Sequence, residues 1–291
     1  MRKLAKPMLL LTAIIWGSSF MVMKNTLDVL PPYSLLAMRF TISVVLLALV
    51  FWKKWKLLTW EYLWQSAIVG GFLFLAYVIQ TIGLQYTTPS KNAFLTAVYC
   101  VLVPFFNWAV MKHRPDRYNL AAAFLCVAGI GFVSLDGAMT IQKGDFLTLC
   151  CAAFYAAHIV AVEKTSGGKD IYLLTVLQFA FAASYAWTAV ALCEQFPTHL
   201  LARPDFYPPI LYLGVMATAV GLLFQNVGQV WSDPASTAVI LSLESVFGVL
   251  FSVLFYGDPV TLKLLLGFGL IFVAVVCSET KLSFLKKQSK C

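Results

Sequence analysis

Charge is what this sequence has least of. Asp, Glu, Lys and Arg make up 12% of its 291 residues, about half the share usual in a soluble domain, while 60% are hydrophobic. So little polar surface cannot coat a water-soluble globule, and a fold embedded in a lipid bilayer follows. A phosphate-binding glycine loop is also missing. GGKD at Gly167 to Asp170 has neither the earlier glycine nor a Ser or Thr after the lysine, which excludes ATP as the energy source. HExxH and GxSxG are absent, and His113, His158 and His199 fall in separate segments. The chain is therefore not expected to be an enzyme, nor to hold a metal or other cofactor. The seven cysteines include no CxxC pair and sit mostly inside apolar runs, as free thiols do. Loops longer than about a dozen residues are lacking, and with them the appended soluble domain that a membrane sensor or scaffold carries.

What is there is a series of ten apolar runs, at about 8–25, 33–52, 62–85, 91–111, 119–136, 145–163, 171–193, 209–230, 235–256 and 261–279. Each is long enough to cross the hydrocarbon as a helix. The runs are continuous, without the alternation of barrel strands, so helices that satisfy their own backbones are expected. The first run follows Arg2, Lys3 and Lys6 but is too long for a signal peptide and lacks a small-residue cleavage site, so it reads as a retained helix. With the N-terminus inside, the inside segments hold 15 of the 21 Lys and Arg residues. Both termini are thus expected in the cytoplasm of a cell whose plasma membrane, a bacterial inner membrane, holds the chain. The same asymmetry accounts for the net charge of +8 without a nucleic-acid partner.

Sliding the chain by 145 positions places QTIGLQYTTPSKNA, from Gln80, on QNVGQVWSDPASTA, from Gln225, with Gln, Gly, Pro and Ala coinciding. Each copy is a helix end, a proline turn and a helix start, the first outside and the second inside. Two inverted five-helix repeats, residues 1–140 and 141–291, are predicted, an arrangement that builds a site at mid-membrane. On these residues the sequence resembles the EamA family of the drug/metabolite transporter superfamily. The stretches that carry the likeness are TAIIWGSSFMVMK from Thr12, Arg39, LQYTTPSKNAFLTAVYCVLVPFF from Leu84, and SDPASTAVILSLESVFGVLFSVLFYGD from Ser232. Gly129, Gly131, Gly267 and Gly269 complete it. The resemblance implies a ten-helix exporter of amino acids, other metabolites or xenobiotics, with the glycine-rich fifth and tenth helices packed behind the other eight. Where family members often carry Pro, Glu and Glu, this chain has Ser245, His113 and Asp258. The first exchange affects the bend of the ninth helix, and the other two are read as interfacial charge.

Polar residues inside apolar runs are the candidates for chemistry. Glu244 stands in LSLESVFGVLFSVLF, where a carboxylate costs roughly 2.5 to 3.5 kcal/mol on insertion scales and therefore faces a bundle interior or a watery cavity. The repeat register puts Tyr99 opposite it. Glu244 is read as a proton carrier or the partner of a substrate ammonium, against a packing role bonded to hydroxyls. His158, a turn from Tyr155, either holds helices together or contacts ligand and relays protons. Arg39 either snorkels or bonds a carbonyl outside its helix, or pairs with a carboxylate or anionic substrate, and Lys24 is read as a snorkelling helix-end group. Gln80 and Gln225, with Tyr77 and Asn226 beside them, either bond between helices or line a cavity. Trp16, among the small residues of WGSS, packs or lines the path. Pro104 is expected to kink the fourth span, and Gly214, Gly221 and Gly228 to form a packing stripe.

The expected protein is a secondary transporter that moves a small amphiphilic or zwitterionic molecule by alternating access, with proton coupling through Glu244 and export as the favoured direction. Uptake of a metabolite is the rival reading. Sequence patterns leave the oligomeric state open.

Overall fold

The computed structural model of the chain describes residues 2–112, 114–135, 140–231 and 234–281, and at 2–3, 226–227, 229–231 and 234–239 the backbone alone. Helices follow one another throughout: α1 (Arg2–Thr26), α2 (Pro32–Val50), α3 (Trp60–Gln85), α4 (Pro89–Ala97), α5 (Tyr99–Met111), α6 (Arg117–Ser134), α7 (Lys143–Ser166) and α8 (Ile171–Cys193). A short α9 (Tyr207–Leu211) passes through π-helical turns at Tyr212–Val220 into α10 (Gly221–Trp231). α11 (Pro234–Phe251) ends in a second π-helical stretch, Ser252–Tyr256, before α12 (Leu262–Thr280). Among the described residues the extended structure is one isolated bridge, Leu135 to Ile141.

Nine helices among the described residues are long and apolar enough to cross a membrane, α4 and α5 counting as one span. The run expected at 235–256 appears as a shorter apolar helix, Ile240–Tyr256, because the side chains before it lie outside the described residues. The chain is thus an all-α polytopic membrane protein. Its outer surface agrees: Leu192 is 81% exposed and Phe124 79%, a placement that water penalises and lipid does not.

Proline placement deviates from expectation in a telling way. The fourth span breaks at Val98, six residues before Pro104, which sits inside α5. The carbonyl four residues before that proline, on Cys100, loses its helical donor, and Ser278 of α12 donates to it at 3.5 Å. Asp258 departs further. Its carboxylate is buried, accepting from the Ser90 N–H at the start of α4 at 3.1 Å and from the Ser252 hydroxyl. It is a helix cap and not an interfacial charge, because a negative group gains from the first-turn N–H groups it meets there. Two further charged residues grip the same α3–α4 turn. Lys24 donates to the carbonyls of Leu84, Gln85 and Thr87 at 2.7, 3.1 and 3.0 Å, so it turns onto α3 rather than snorkelling to water. Buried Asp145 accepts from Thr87 and from Lys91, at 3.1 Å for the latter.

Glycines set how closely the helices approach. The stripe of Gly214, Gly221 and Gly228 seats Ile42 of α2 and then Trp16 and Leu9 of α1. Gly129 of α6 and Gly267 of α12 face each other, each within 3.0 Å of the other's carbonyl oxygen for a Cβ built there. At Gly17 a Cβ would lie 2.5 Å from Phe247 Cβ and 2.9 Å from the Glu244 carbonyl oxygen. That contact holds the Trp16 turn of α1 against the Glu244 turn of α11. Gly17→Ala is expected to cost about 1–3 kcal/mol by overpacking, read as a lowered midpoint of thermal unfolding in detergent. Gly269→Ala, with open space around it, should leave the midpoint unchanged.

Beyond the helices' ends, Lys54 reaches Asp170, the N-cap of α8, at 2.6 Å. Partial burial works against ionised Asp170, but the Lys54 ammonium and the N–H groups of Leu173 and Tyr172 outweigh it and hold its carboxyl below the usual carboxylate range. The stabilisation is therefore complete above that range and lost as pH falls through the lowered value. Lys54→Ala should flatten the acid limb of a plot of unfolding midpoint against pH.

Candidate functional site

Eight of the side chains singled out in the sequence, Trp16, Tyr77, Gln80, Tyr99, Tyr155, His158, Gln225 and Glu244, border one cavity of about 160 Å³, and Arg39 borders it with them. The Asn226 side chain lies outside the described residues. Every span except α6 and α12 contributes to the wall, and those two pack against each other through Gly129 and Gly267.

Three tyrosines of the wall form a continuous run of rings with Phe40, which lies outside the lining. Phe40 meets Tyr77 edge-on with centroids 5.3 Å apart, Tyr77 meets Tyr155 at 5.5 Å, and Tyr155 meets Tyr99 at 6.0 Å. These separations suit rings whose positive edges face negative faces. At one end the Arg39 guanidinium lies over Tyr77, 4.7 Å from the centroid. At the other, Tyr99 and Glu244 share both the cavity and a small cleft behind it.

Gln80 is the hub of the polar lining. Its amide nitrogen donates to Thr96 Oγ1 at 2.9 Å, and its oxygen accepts from the Tyr155 hydroxyl at 2.9 Å. A buried amide with both ends bonded holds three helices in one register. His158 and Gln178 are joined through Nε2 and Oε1 at 2.9 Å, linking α7 to α8. Trp16 donates its indole N–H to the Ala217 carbonyl at 2.7 Å, inside the π-helical stretch. π-helical turns concentrate at functional positions because they leave backbone groups free for other partners. Thr218, in the same stretch, donates to the Leu213 carbonyl at 2.8 Å and accepts from Arg39 Nε at 2.5 Å. Among the described residues, no group donates a hydrogen bond to the Glu244 carboxylate and none partners the Gln225 amide.

Sequence reasoning missed four polar members of the wall, Ser19, Thr96, Gln178 and Thr218. Gln178 carried the same signal as Gln80, a lone amide in an apolar run. The hydroxyls did not, since Ser and Thr occur in many spans and bond their own helix carbonyls, as Ser19 does to Trp16 at 2.7 Å.

A sequence model of the EamA-like transporter family matches residues 4–135 and again 142–280. The chain belongs to the EamA-like transporter family. An uncharacterised transporter of Archaeoglobus fulgidus is 34% identical to it over 92% of this chain and 83% of its own. A probable biotin transporter of Pseudomonas aeruginosa is 24% identical over 91% and 94%. A crystal structure of a protein 16% identical superposes with a TM-score of 0.66, covering 98% of this EamA chain and 99% of its own, a likeness of fold.

The Gln80 hub gives a direct test. Tyr155→Phe removes one donor and should cost about 1 kcal/mol, whereas Gln80→Leu removes both bonds, leaving the Tyr155 hydroxyl unpaired and Thr96 with only the Cys151 sulfur at 3.8 Å, and should cost about 1–3 kcal/mol. Thermal unfolding of the purified variants in detergent measures both.

Proposed function

We propose that this EamA-family chain is a secondary active transporter that moves a small amphiphilic or zwitterionic metabolite across the plasma membrane, outward, by alternating access. The observation that carries the reading is the cavity itself. It lies between helices drawn from residues 1–140 and from 141–291, and it is walled by aromatic rings with one cation and one carboxyl. Two halves inserted in opposite orientations, with both termini cytoplasmic, place such a cavity at mid-membrane. Closure at one end and opening at the other then exposes it to each side in turn. A volume of about 160 Å³ is close to the roughly 150 Å³ cavity that takes benzene, so the resting space suits a cargo of about that bulk. The relative named for biotin supports a small organic metabolite as cargo. Outward movement follows the exporters the sequence resembles.

Glu244 is the group through which we couple transport to protons. A carboxyl facing a cavity can carry a proton on one half-cycle and a cationic group of the cargo on the other. Proteoliposomes loaded with labelled amino acids, nucleosides and dyes should release at least one of them faster than protein-free vesicles when a pH gradient is imposed. Glu244→Gln should fold normally and lose tenfold or more of that gradient-driven flux. No flux from any member of the panel would overturn the transporter reading, and full flux in Glu244→Gln would leave that residue with packing alone.

A further inference from the structure

Among the described residues three charged side chains are buried: Arg39, Asp145 and Asp258. Both aspartates are satisfied, Asp145 by Lys91 and Thr87, and Asp258 by Ser252 and the first turn of α4. Arg39 differs. Its guanidinium carries five N–H donors, and the acceptors it meets are Thr218 Oγ1 at 2.5 Å and the weakly accepting Met23 sulfur at 3.8 Å. No carboxylate among the described residues lies within salt-bridge distance of it. The fork is nevertheless held firmly, with Nε fixed by Thr218 and its face laid on Tyr77 at 4.7 Å. A guanidinium so oriented, with spare donors at the edge of a cavity, matches the planar bidentate acceptor geometry of a carboxylate. Glu244 borders the same cavity and has no hydrogen-bond or ion-pair partner among the described residues.

We infer that Arg39 is the carboxylate anchor of the cavity and that the cargo is a small zwitterion, its carboxylate on Arg39 and its ammonium toward Glu244. This rests on the transport reading and names its cargo. The cavity has one guanidinium and one carboxyl, so a zwitterion engages both, a cation leaves Arg39 bare, and an anion gains nothing at Glu244, which a proton then neutralises. In a low-dielectric interior each bare charge counts against binding. The rings from Tyr77 through Tyr155 to Tyr99 lie between the two ends and suit an apolar side chain. Thr218 belongs to the second half and Arg39 to the first, so a carboxylate seated on Arg39 bears on both halves at once.

The test is binding to purified full-length protein in lipid nanodiscs, with alanine, valine and leucine, their amides and the matching carboxylic acids that lack the amine as probes. At least one amino acid should bind tenfold or more tightly than its amide and than its deaminated acid. Arg39→Gln should abolish the preference over the amide, and Arg39→Lys should restore part of it. Thr218→Val, which keeps the charge but frees the fork, should weaken amino-acid binding severalfold and leave amide binding unchanged, and it serves if Arg39→Gln does not fold. Amides that bind as tightly as the amino acids, a preference that survives in Arg39→Gln, or no binding by any of the three amino acids would overturn the assignment. Transport of an uncharged cargo in proteoliposomes would keep the transporter reading while removing this one.

Discussion

Hydrocarbon offers no hydrogen bonds, so each polar group that enters the membrane must find its partner inside the protein. The rest of this structure depends on that one constraint. It makes the backbone helical, and it draws the polar side chains of separate spans into shared networks. Gln80 is bonded at both ends, His158 meets Gln178, Trp16 finds a backbone carbonyl, and Asp258 finds the open end of a helix. Arg39, with Thr218 as its one strong acceptor, and Glu244 and Gln225, without a side-chain partner among the described residues, all border the cavity. Away from the cavity, the buried side-chain atoms without a partner among the described residues are uncharged: the hydroxyls of Ser66, Ser90 and Ser134 and the amide oxygens of Asn92 and Asn107.

Close helix contact is the second consequence. Between helices in lipid there is little hydrophobic drive, and small residues that bring backbones together supply the attraction. Gly17 does this between α1 and α11, and in doing so it sets the Trp16 turn beside the Glu244 turn. Gly221 leaves room for the Trp16 ring, whose N–H then reaches the π-helical stretch. Packing and site are therefore not separable here. The same glycines that hold the helices also decide which side chains see the cavity.

Much of this was legible in the sequence, because a membrane span reports its polar residues against an apolar background. Glu244, Arg39 and Gln80 stood out for that reason, and the structure brings them to one cavity. The helices themselves followed from length and apolarity alone. What escaped was whatever depends on neighbours distant in sequence. Asp258 looks like a loop charge until the start of α4 is placed beside it, and Lys24 looks like a snorkelling group until α3 ends within its reach. Thr218 is one hydroxyl among many, and its importance comes from a guanidinium 179 positions away. The break at Val98 was hidden by Pro104, the stronger local signal, since a proline leaves its mark on the chain while a partner on α12 does not.

Equivalent residues of the two proposed halves are in unequal situations, and that inequality bears on mechanism. Lys24 and Lys169 stand 145 positions apart, in the register that relates Gln80 to Gln225. Lys24 is spent on the carbonyl end of α3, gripping the α3–α4 turn with Asp145 and Asp258. Lys169 instead pairs with Glu61 at 2.7 Å and with Gln65, and the turn equivalent to α3–α4 includes residues outside those described. Gln80 is tied to Thr96 and Tyr155, whereas Gln225 has no partner among the described residues. Under the proposed inverted repeat, equivalent residues in unequal bonding states form an asymmetric conformer, and the proposed alternation exchanges those states between the halves. Under the proposed alternation, a cargo lodged between them needs only a small differential affinity to tip the balance. On that proposal, a cavity lined by residues of both 1–140 and 141–291 couples binding to movement.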